Sequence, residues 1–421
     1  MADGSRDDAL KEAALVYHER PGPGKLAIRV TKPMATQRDL SLAYSPGVAE
    51  ACVQIRQTPE DAYRYTGKGN RVAVLSNGTA VLGLGDIGAQ ASKPVMEGKV
   101  ALFKKFANID GFDIEVDERD PKKLAEIVIA LEPTFGAVNL EDIKAPDCFE
   151  VERLCKERMS IPVFHDDQHG TAIVVAAAAI NAMAIAGKAF EDIRIVSTGG
   201  GAAGIACLNM LLNLGVKREH VFLFDIGGLV HQGREDIDDT KRAYAQPDGG
   251  PDLETALVGA DMFLGLSAPR LLKPEWVKTM ARDPVILALA NPVPEIWPTD
   301  ATEVREDAMV ATGRSDFPNQ VNNVLCFPFI FRGALDCGAT QINEEMKVAC
   351  AQAIAALTRL SSSAEAAAVY HGERLVFGRD YLIPKAFDPR LLAQIAAAVA
   401  QAAMDTGVAR RPIEDMAAYR A

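Results

Sequence analysis

No two cysteines of this sequence form a C-x-x-C pair. The seven present (Cys52, Cys148, Cys155, Cys207, Cys326, Cys337 and Cys350) are scattered and odd in number. That spacing excludes a disulfide framework and a structural zinc site, and predicts a reducing, cytoplasmic setting. No long basic run offsets the net charge of −12, which excludes nucleic acid as the main partner. The N-terminus, MADGSRDDALKEAALVYH, has acid where a signal peptide has base, and no long apolar core. The most apolar stretch, Ala172–Gly187, is alanine-rich, contains Asn181 and falls short of the ~20 residues a bilayer span needs. It reads as a buried helix, so no membrane partner is expected. Repeats and low-complexity linkers are also missing.

What is present is ordinary in bulk: 421 residues, 48% hydrophobic and 24% charged, enough for two or three domains with their own cores. An acidic chain that takes an acidic metabolite needs a bound cation or a few well-placed basic groups. The pattern along the chain predicts strands at Arg71–Val74 and Ala80–Leu84, joined through Asn77-Gly78 as a hairpin. A helix over Pro94–Ala107, a strand over Phe112–Val116, a helix over Pro121–Leu131 and a strand over Thr134–Leu140 follow. A helix over Asp147–Met159 and the strand Ile161–Phe164 complete this half. Beyond Ala172–Gly187 the apolar runs Arg194–Thr198, Val221–Asp225, Met262–Ser267, Val285–Ala290 and Met309–Gly313 alternate with helical stretches, the pattern of a parallel sheet covered on both faces. The expected fold is α/β: an N-terminal α/β catalytic domain over residues 1–165, then a Rossmann-like, doubly wound dinucleotide-binding domain over 166–385. A helical segment over 386–421 follows. The helices after about Ile342 have no strands between them and are expected to pack back on the body or form an oligomer contact.

The motif G-x-G-x-x-G occurs twice, at Gly83–Gly88 and Gly199–Gly204. A dinucleotide site also needs a preceding strand, a helix N-terminus facing the pyrophosphate and an acid about 20 residues on for the ribose. The second copy meets each condition, since it follows RIVST, opens the stretch Ile205–Leu214 and precedes VFLFD, which ends in Asp225. Gly199, Gly201, Ala202, Ala203, Gly204 and Asp225 are the expected cofactor residues. In the first copy Asp86 would repel a pyrophosphate, so that segment reads as a structural or substrate-side loop.

Helical periodicity places Val95, Met96, Val100, Leu102, Phe103 and Phe106 on one face, with Lys99 in its middle. Such a lysine either snorkels along its stem or sits in a pocket with a lowered pKa, as a general base near neutral pH requires. Two acid pairs end strand candidates: Glu141-Asp142 after TFGAVNL, and Asp166-Asp167 after IPVFH. Adjacent acid pairs repel unless a cation sits between them, and hard oxygen ligands suit Mg²⁺ or Mn²⁺. A zinc or iron site on His165 and His169 is the rival reading, and capping or loop acids the plain one. Asn291, after VILALA, and Asn322-Asn323 are uncharged groups suited to carboxylate oxygens, although Asn291 before Pro292 is equally a turn.

Eight stretches then carry a resemblance in order over nearly the whole chain: LAYSPGVAE (Leu42–Glu50), VLGLGDIG (Val81–Gly88), PVMEGK (Pro94–Lys99), NLEDI (Asn139–Ile143), FHDDQHGTA (Phe164–Ala172), GGGAAG (Gly199–Gly204), ALANP (Ala288–Pro292) and NNVLCFP (Asn322–Pro328). They resemble the malic enzymes. The short N-terminal region is similar to the bacterial smaller-subunit form, especially the malic-enzyme half of hybrid proteins that carry a phosphotransacetylase-like domain after it. The resemblance implies oxidation of L-malate with NADP⁺ or NAD⁺ and its decarboxylation to pyruvate, dependent on Mg²⁺ or Mn²⁺. It implies Tyr44 as general acid, Lys99 as general base and Asp166 as the group that tunes Lys99. Glu141, Asp142 and Asp167 would hold the metal, Asn291, Asn322 and Asn323 would contact malate, and Asn291 would also meet the cofactor. A homodimer or larger homo-oligomer is implied too. Larger-subunit relatives bind the substrate carboxylate through an arginine near the first glycine loop. None stands beside it here, which leaves that role to backbone amides or another subunit. Asp225 favours an unphosphorylated ribose, yet hybrid relatives are often NADP-dependent with an acid there. Arg234 and Lys241 are its candidate partners, and NADP is favoured over NAD. An amino-acid dehydrogenase competes as a reading but would not need four acids. A nucleotide sensor would have no use for Lys99.

Overall fold

The computed structural model describes residues 2–361 and 375–421. Strands that are apolar on both faces have to be covered on both, and two parallel sheets result. The first contains β1 (Arg71–Ser76), β2 (Asp110–Glu115), β3 (Ala137–Leu140) and β4 (Val163–His165), all parallel, in the order β2-β1-β3-β4. Leu75 lies opposite both Ile114 and Leu140, and Leu140 lies opposite His165. The register therefore brings Ser76, Glu141 and Asp166 to one carboxyl edge, where ligands of open α/β sheets gather.

The expected hairpin does not form. After β1 the chain turns through Gly78 (φ 67°), whose carbonyl accepts the N–H groups of Ile87 and Gly88, while Thr79 and Ala80 donate to the Asp142 carbonyl. Residues Leu82–Leu84 make one 3₁₀ turn instead of a strand. Both sides of β1 are already taken by β2 and β3, so a returning antiparallel neighbour has no free edge.

The second sheet contains β5 (Ile195–Thr198), β6 (Val221–Asp225), β7 (Gly228–Leu229), β8 (Met262–Gly265), β9 (Val285–Ala288) and β10 (Met309–Thr312). Its order is β10-β9-β8-β5-β6-β7, parallel except for the short β6–β7 pair, which the sequence pattern did not predict. From β5 the chain goes to one side for β6 and to the other for β8, which puts the switch point at the end of β5.

Between the sheets runs the helix Asp166–Ala186, apolar all round and buried against Ala202–Asn213 and Glu344–Arg359. By length and composition alone its 21 residues could cross a membrane, but most of the helix is buried inside the protein, the position of a core helix. The helices Glu344–Arg359 and Arg390–Asp405 pack back on this body, as expected, and on Phe327–Asp336. Asn181 ties them on: its amide N–H₂ donates to the carbonyls of Ala355 and Leu382, and its oxygen accepts from Arg359 Nε. Residues 362–374 of the expected 166–385 unit lie outside the described residues. The N-terminal segment differs. Its helices Gln37–Ala43 and Val48–Gln57 bury no residue, and Ile28, Val30, Leu42 and Tyr44 are exposed.

Candidate active site

The helix Ala89–Ala107 buries Met96, Val100 and Phe103 and, on the same face, Lys99. Lys99 does not snorkel. Its Nζ lies 2.5 Å from Asp166 Oδ2 and 2.7 Å from Glu141 Oε1, and 4.1 Å from the centre of the Phe327 ring. Burial alone would depress its pKa, but Asp166, Glu141 and Asp167 outweigh that and hold it as an ammonium above the ordinary lysine range. This corrects the expected lowered pKa: the helical periodicity placed the lysine, and acids from two other strands set its charge. Burial pushes Glu141 well above its usual range, with Asp167, Asp166 and Asp142 adding to the shift against Lys99. Burial likewise raises Asp166.

The four acids converge from the ends of β3 and β4. The Asp142 N–H donates to Asp167 Oδ2 at 2.8 Å, and Asn139 Nδ2 donates to Glu141 Oε2 at 2.7 Å. Asn323 Nδ2 donates to Asp166 Oδ2 at 2.6 Å, whereas Asp166 Oδ1 is buried without a partner. Two carboxylates thus grip one ammonium and two more lie at the same strand ends, a hard-oxygen donor set with excess negative charge that fits a divalent cation. Among the described residues, no three acid, histidine or cysteine side chains already converge in a ligating arrangement. The Lys99 ammonium lies between Glu141 and Asp166.

The remaining sequence candidates divide. Asn322 caps the turn Asn323–Leu325 by accepting the Val324 N–H, so Asn323, not Asn322, joins the acid cluster. Asn291 is exposed; its carbonyl faces Gly83 and its side chain faces Gly313, which sets it beside the first glycine loop. Tyr44, 72% exposed at the end of Gln37–Ala43, has backbone hydrogen bonds only to Leu40 and Val48. Within one chain it is not brought to Lys99. The first glycine loop does meet an arginine, one that sequence reading missed: Arg119 Nη1 and Nη2 donate to Asp86 at 2.6 and 3.0 Å. Arg119 lies 33 residues away, so only the fold could join them.

A buried network behind the acids was also missed. Burial lowers His169 to about 4, so the ring is neutral; Nδ1 accepts from Lys347 Nζ at 3.1 Å and Nε2–H donates to Glu152 at 2.8 Å. Glu152 also takes Lys156 Nζ at 2.7 Å and the His165 N–H at 3.3 Å. His169 is thereby committed to bracing the first turn of the Asp166 helix, which removes it as a zinc or iron ligand. Glu152→Ala leaves the His169 Nε2–H buried without its acceptor and Lys156 without its carboxylate, while Lys347 keeps Glu344, and should cost about 1–3 kcal/mol of stability. Urea unfolding measures this; a loss below about 0.5 kcal/mol would mean the network braces nothing.

The second glycine loop opens a cleft of about 1130 Å³. Thr198, Gly199–Gly201, Asp225 and Ser267 line it, together with Ala145, Pro146 and Phe149, just past Asp142. Gly199 has φ 105°, and a side chain there would strike the Leu266 carbonyl, while one at Gly204 would lie 2.0 Å from the Gly199 carbonyl. Nothing lies within 4 Å of a side chain built at Gly201, so the loop is open on that side. Ala202, Ala203 and Gly204 start the helix Ala202–Asn213 behind the loop.

Sequence profiles fit both halves of this arrangement: one described as "Malic enzyme, N-terminal domain" matches residues 23–156, and "Malic enzyme, NAD binding domain" matches 168–371. The chain belongs to the malic enzyme family. It is 60% identical over 415 residues to the NADP-dependent malic enzyme of Escherichia coli (strain K12), covering 98% of this chain and 55% of that protein. It is also 60% identical over 411 residues to the NAD-dependent malic enzyme of Rhizobium meliloti (strain 1021), covering 97% of this chain and 53% of that one. The chain thus spans about half the length of these malic enzymes. The crystal structure of malic enzyme from Pyrococcus horikoshii Ot3 superposes with a TM-score of 0.88 at 40% identity, over 98% of this chain and 94% of that one.

Proposed function

We propose that this chain oxidises L-malate with NADP⁺ or NAD⁺ and decarboxylates the product to pyruvate and CO₂, in the cytoplasm. The observation that carries the reading is the meeting of Lys99 with the acid pairs of β3 and β4 beside the dinucleotide cleft. The unit over residues 1–165 supplies Lys99, Glu141 and Asp142, that over 166–385 supplies Asp166, Asp167 and most of the cleft, and the segment 386–421 packs on this body.

A divalent cation held by Glu141, Asp142 and Asp167 would polarise the C2 oxygen and neutralise the substrate, and the bound dinucleotide would accept the C2 hydride. Lys99, once its own proton has passed to solvent, takes the C2 hydroxyl proton as that hydride leaves. Glu141 serves both Lys99 and the cation site, so its engagement by a cation would loosen the hold that keeps Lys99 protonated. Asp166, fixed by Asn323, keeps the lysine aimed. Asn291 and Asn323 offer amide donors to the substrate carboxylates, while Asn322 supports that loop as a cap. Loss of CO₂ leaves an enolate, and Tyr44 delivers the proton to C3 to give pyruvate.

For Tyr44 to do so, a second copy has to present it. The helices on either side of it bury no residue, and Ile28, Val30, Leu42 and Tyr44 are exposed, the character of an arm that packs on a homodimer partner. The test of the overall reading is absorbance at 340 nm with L-malate, either dinucleotide and Mn²⁺, with and without EDTA. Reduction should require the metal and yield pyruvate. A folded, metal-loaded sample inactive with both dinucleotides would favour the nucleotide-sensor reading.

A further inference from the structure

We propose that His165 is a positioning residue of the cation site: it stands behind Asp167 and sets that carboxylate for the metal without ligating it. The proposal rests on the cation reading of the acid cluster given above. His165 is the last residue of β4 and is 1% exposed, yet neither ring nitrogen has a hydrogen-bond partner. An imidazole buried with both nitrogens unpaired is costly, and such a group in a folded chain calls for a reason. Its Nδ1 lies 3.7 Å from Asp167 Oδ2, too long for a hydrogen bond but within reach of one after a small side-chain movement.

The strand puts the ring there. Side chains alternate along β4, so His165 shares the face of Val163, which lies in one apolar cluster with Cys148 and Val151 of the helix Asp147–Arg158. Phe164, on the other face, lies with Met96 and Val100 of the Lys99 helix. The ring therefore comes to the acids from the side opposite Lys99. Its backbone N–H donates to Glu152 at 3.3 Å, which ties the strand end to the brace around His169. Asp167 follows in the first turn of the helix Asp166–Ala186, and its Oδ2 already accepts the Asp142 N–H at 2.8 Å. A ring N–H joining that oxygen fixes the plane of the carboxylate and turns Oδ1 to the cation. Asp167 is the acid that gains most from this. Glu141 and Asp142 are buried and Glu141 is held by Asn139, whereas the Asp167 side chain is 35% exposed. A hard cation takes acid oxygens in preference to an imidazole, so the ring acts through Asp167, and a ligand oriented from behind binds its metal more tightly.

The test is titration of Mn²⁺ into the whole chain, without malate or dinucleotide, with free aqua-Mn²⁺ counted by electron paramagnetic resonance. His165→Phe keeps a ring in the same space and deletes the nitrogens, and should weaken Mn²⁺ binding about 10- to 100-fold. Two amides locate the effect. The asparagine amide nitrogen is bonded to Cγ, as imidazole Nδ1 is, whereas the glutamine amide reaches the position of Nε2. His165→Asn should therefore keep most of the affinity, and His165→Gln should lose it as His165→Phe does. A mere loss of packing would not favour the shorter amide over the longer one, and 5′-ADP binding checks that each variant is folded. Wild-type affinity in His165→Phe, or equal affinity in the two amide variants, overturns the proposal. A wild type that binds no Mn²⁺ removes the cation reading itself, whereas Mn²⁺ binding shared by every variant faults the positioning role alone.

Discussion

Lys99→Met should lower metal-dependent reduction of the dinucleotide by malate about 10²- to 10⁴-fold, the usual contribution of a positioned general base. Methionine keeps the apolar stem among Met96, Val100 and Phe103 and deletes only the ammonium between Glu141 and Asp166. Two electrostatic consequences follow. The acids lose their one internal cation, and an unpaired buried charge costs about 3–5 kcal/mol unless a carboxyl protonates instead. Divalent cations should then bind at least as well as before, because their competitor for Glu141 is gone. A lysine that merely neutralised the acids would be replaced by added metal. A lysine that moves the C2 proton would not. Rates at saturating Mn²⁺, with dinucleotide affinity measured alongside, separate the two, and activity within about tenfold of wild type there would end the general-base assignment.

The acid pairs were legible because each follows an apolar run directly, and the parallel register then brings such strand ends to one edge. Gly199–Gly204 was legible because the strand before it, the helix after it and Asp225 all agree with the glycines. What failed was non-local. Asn77-Gly78 carries a hairpin signal, but β1 is central and the turn faces Asp142. Lys99 was found by its periodicity, while its charge state is set by residues 42 and 67 positions away, which no window on its own helix includes. Arg119 and Lys347 look like surface charges in sequence. They acquire partners only when Asp86 and His169 are folded against them. Tyr44 is the opposite case: its motif was plain, and the single chain leaves it exposed.

That exposure makes the second large effect a gain of activity on mixing. Tyr44→Phe and Lys99→Met should each be nearly inactive alone. If each site joins Lys99 of one copy to Tyr44 of the other, a mixed dimer has one site with both wild-type residues and one with neither. Exchange of equal amounts makes half the dimers mixed with one of two sites intact, so about a quarter of wild-type activity should return in a twofold-symmetric assembly. If both residues act within one chain, each site of the mixed dimer still lacks one of them, and mixing restores nothing. The result depends on subunit exchange, so it is run by co-expression with two affinity tags, and the doubly tagged species is assayed. Half of wild-type activity in that species would place Tyr44 on the partner's site. Activity no higher than the single variants would confine Tyr44 to its own chain, and the arm carrying it would have to fold inward by a motion large enough to bury Leu42 and Tyr44.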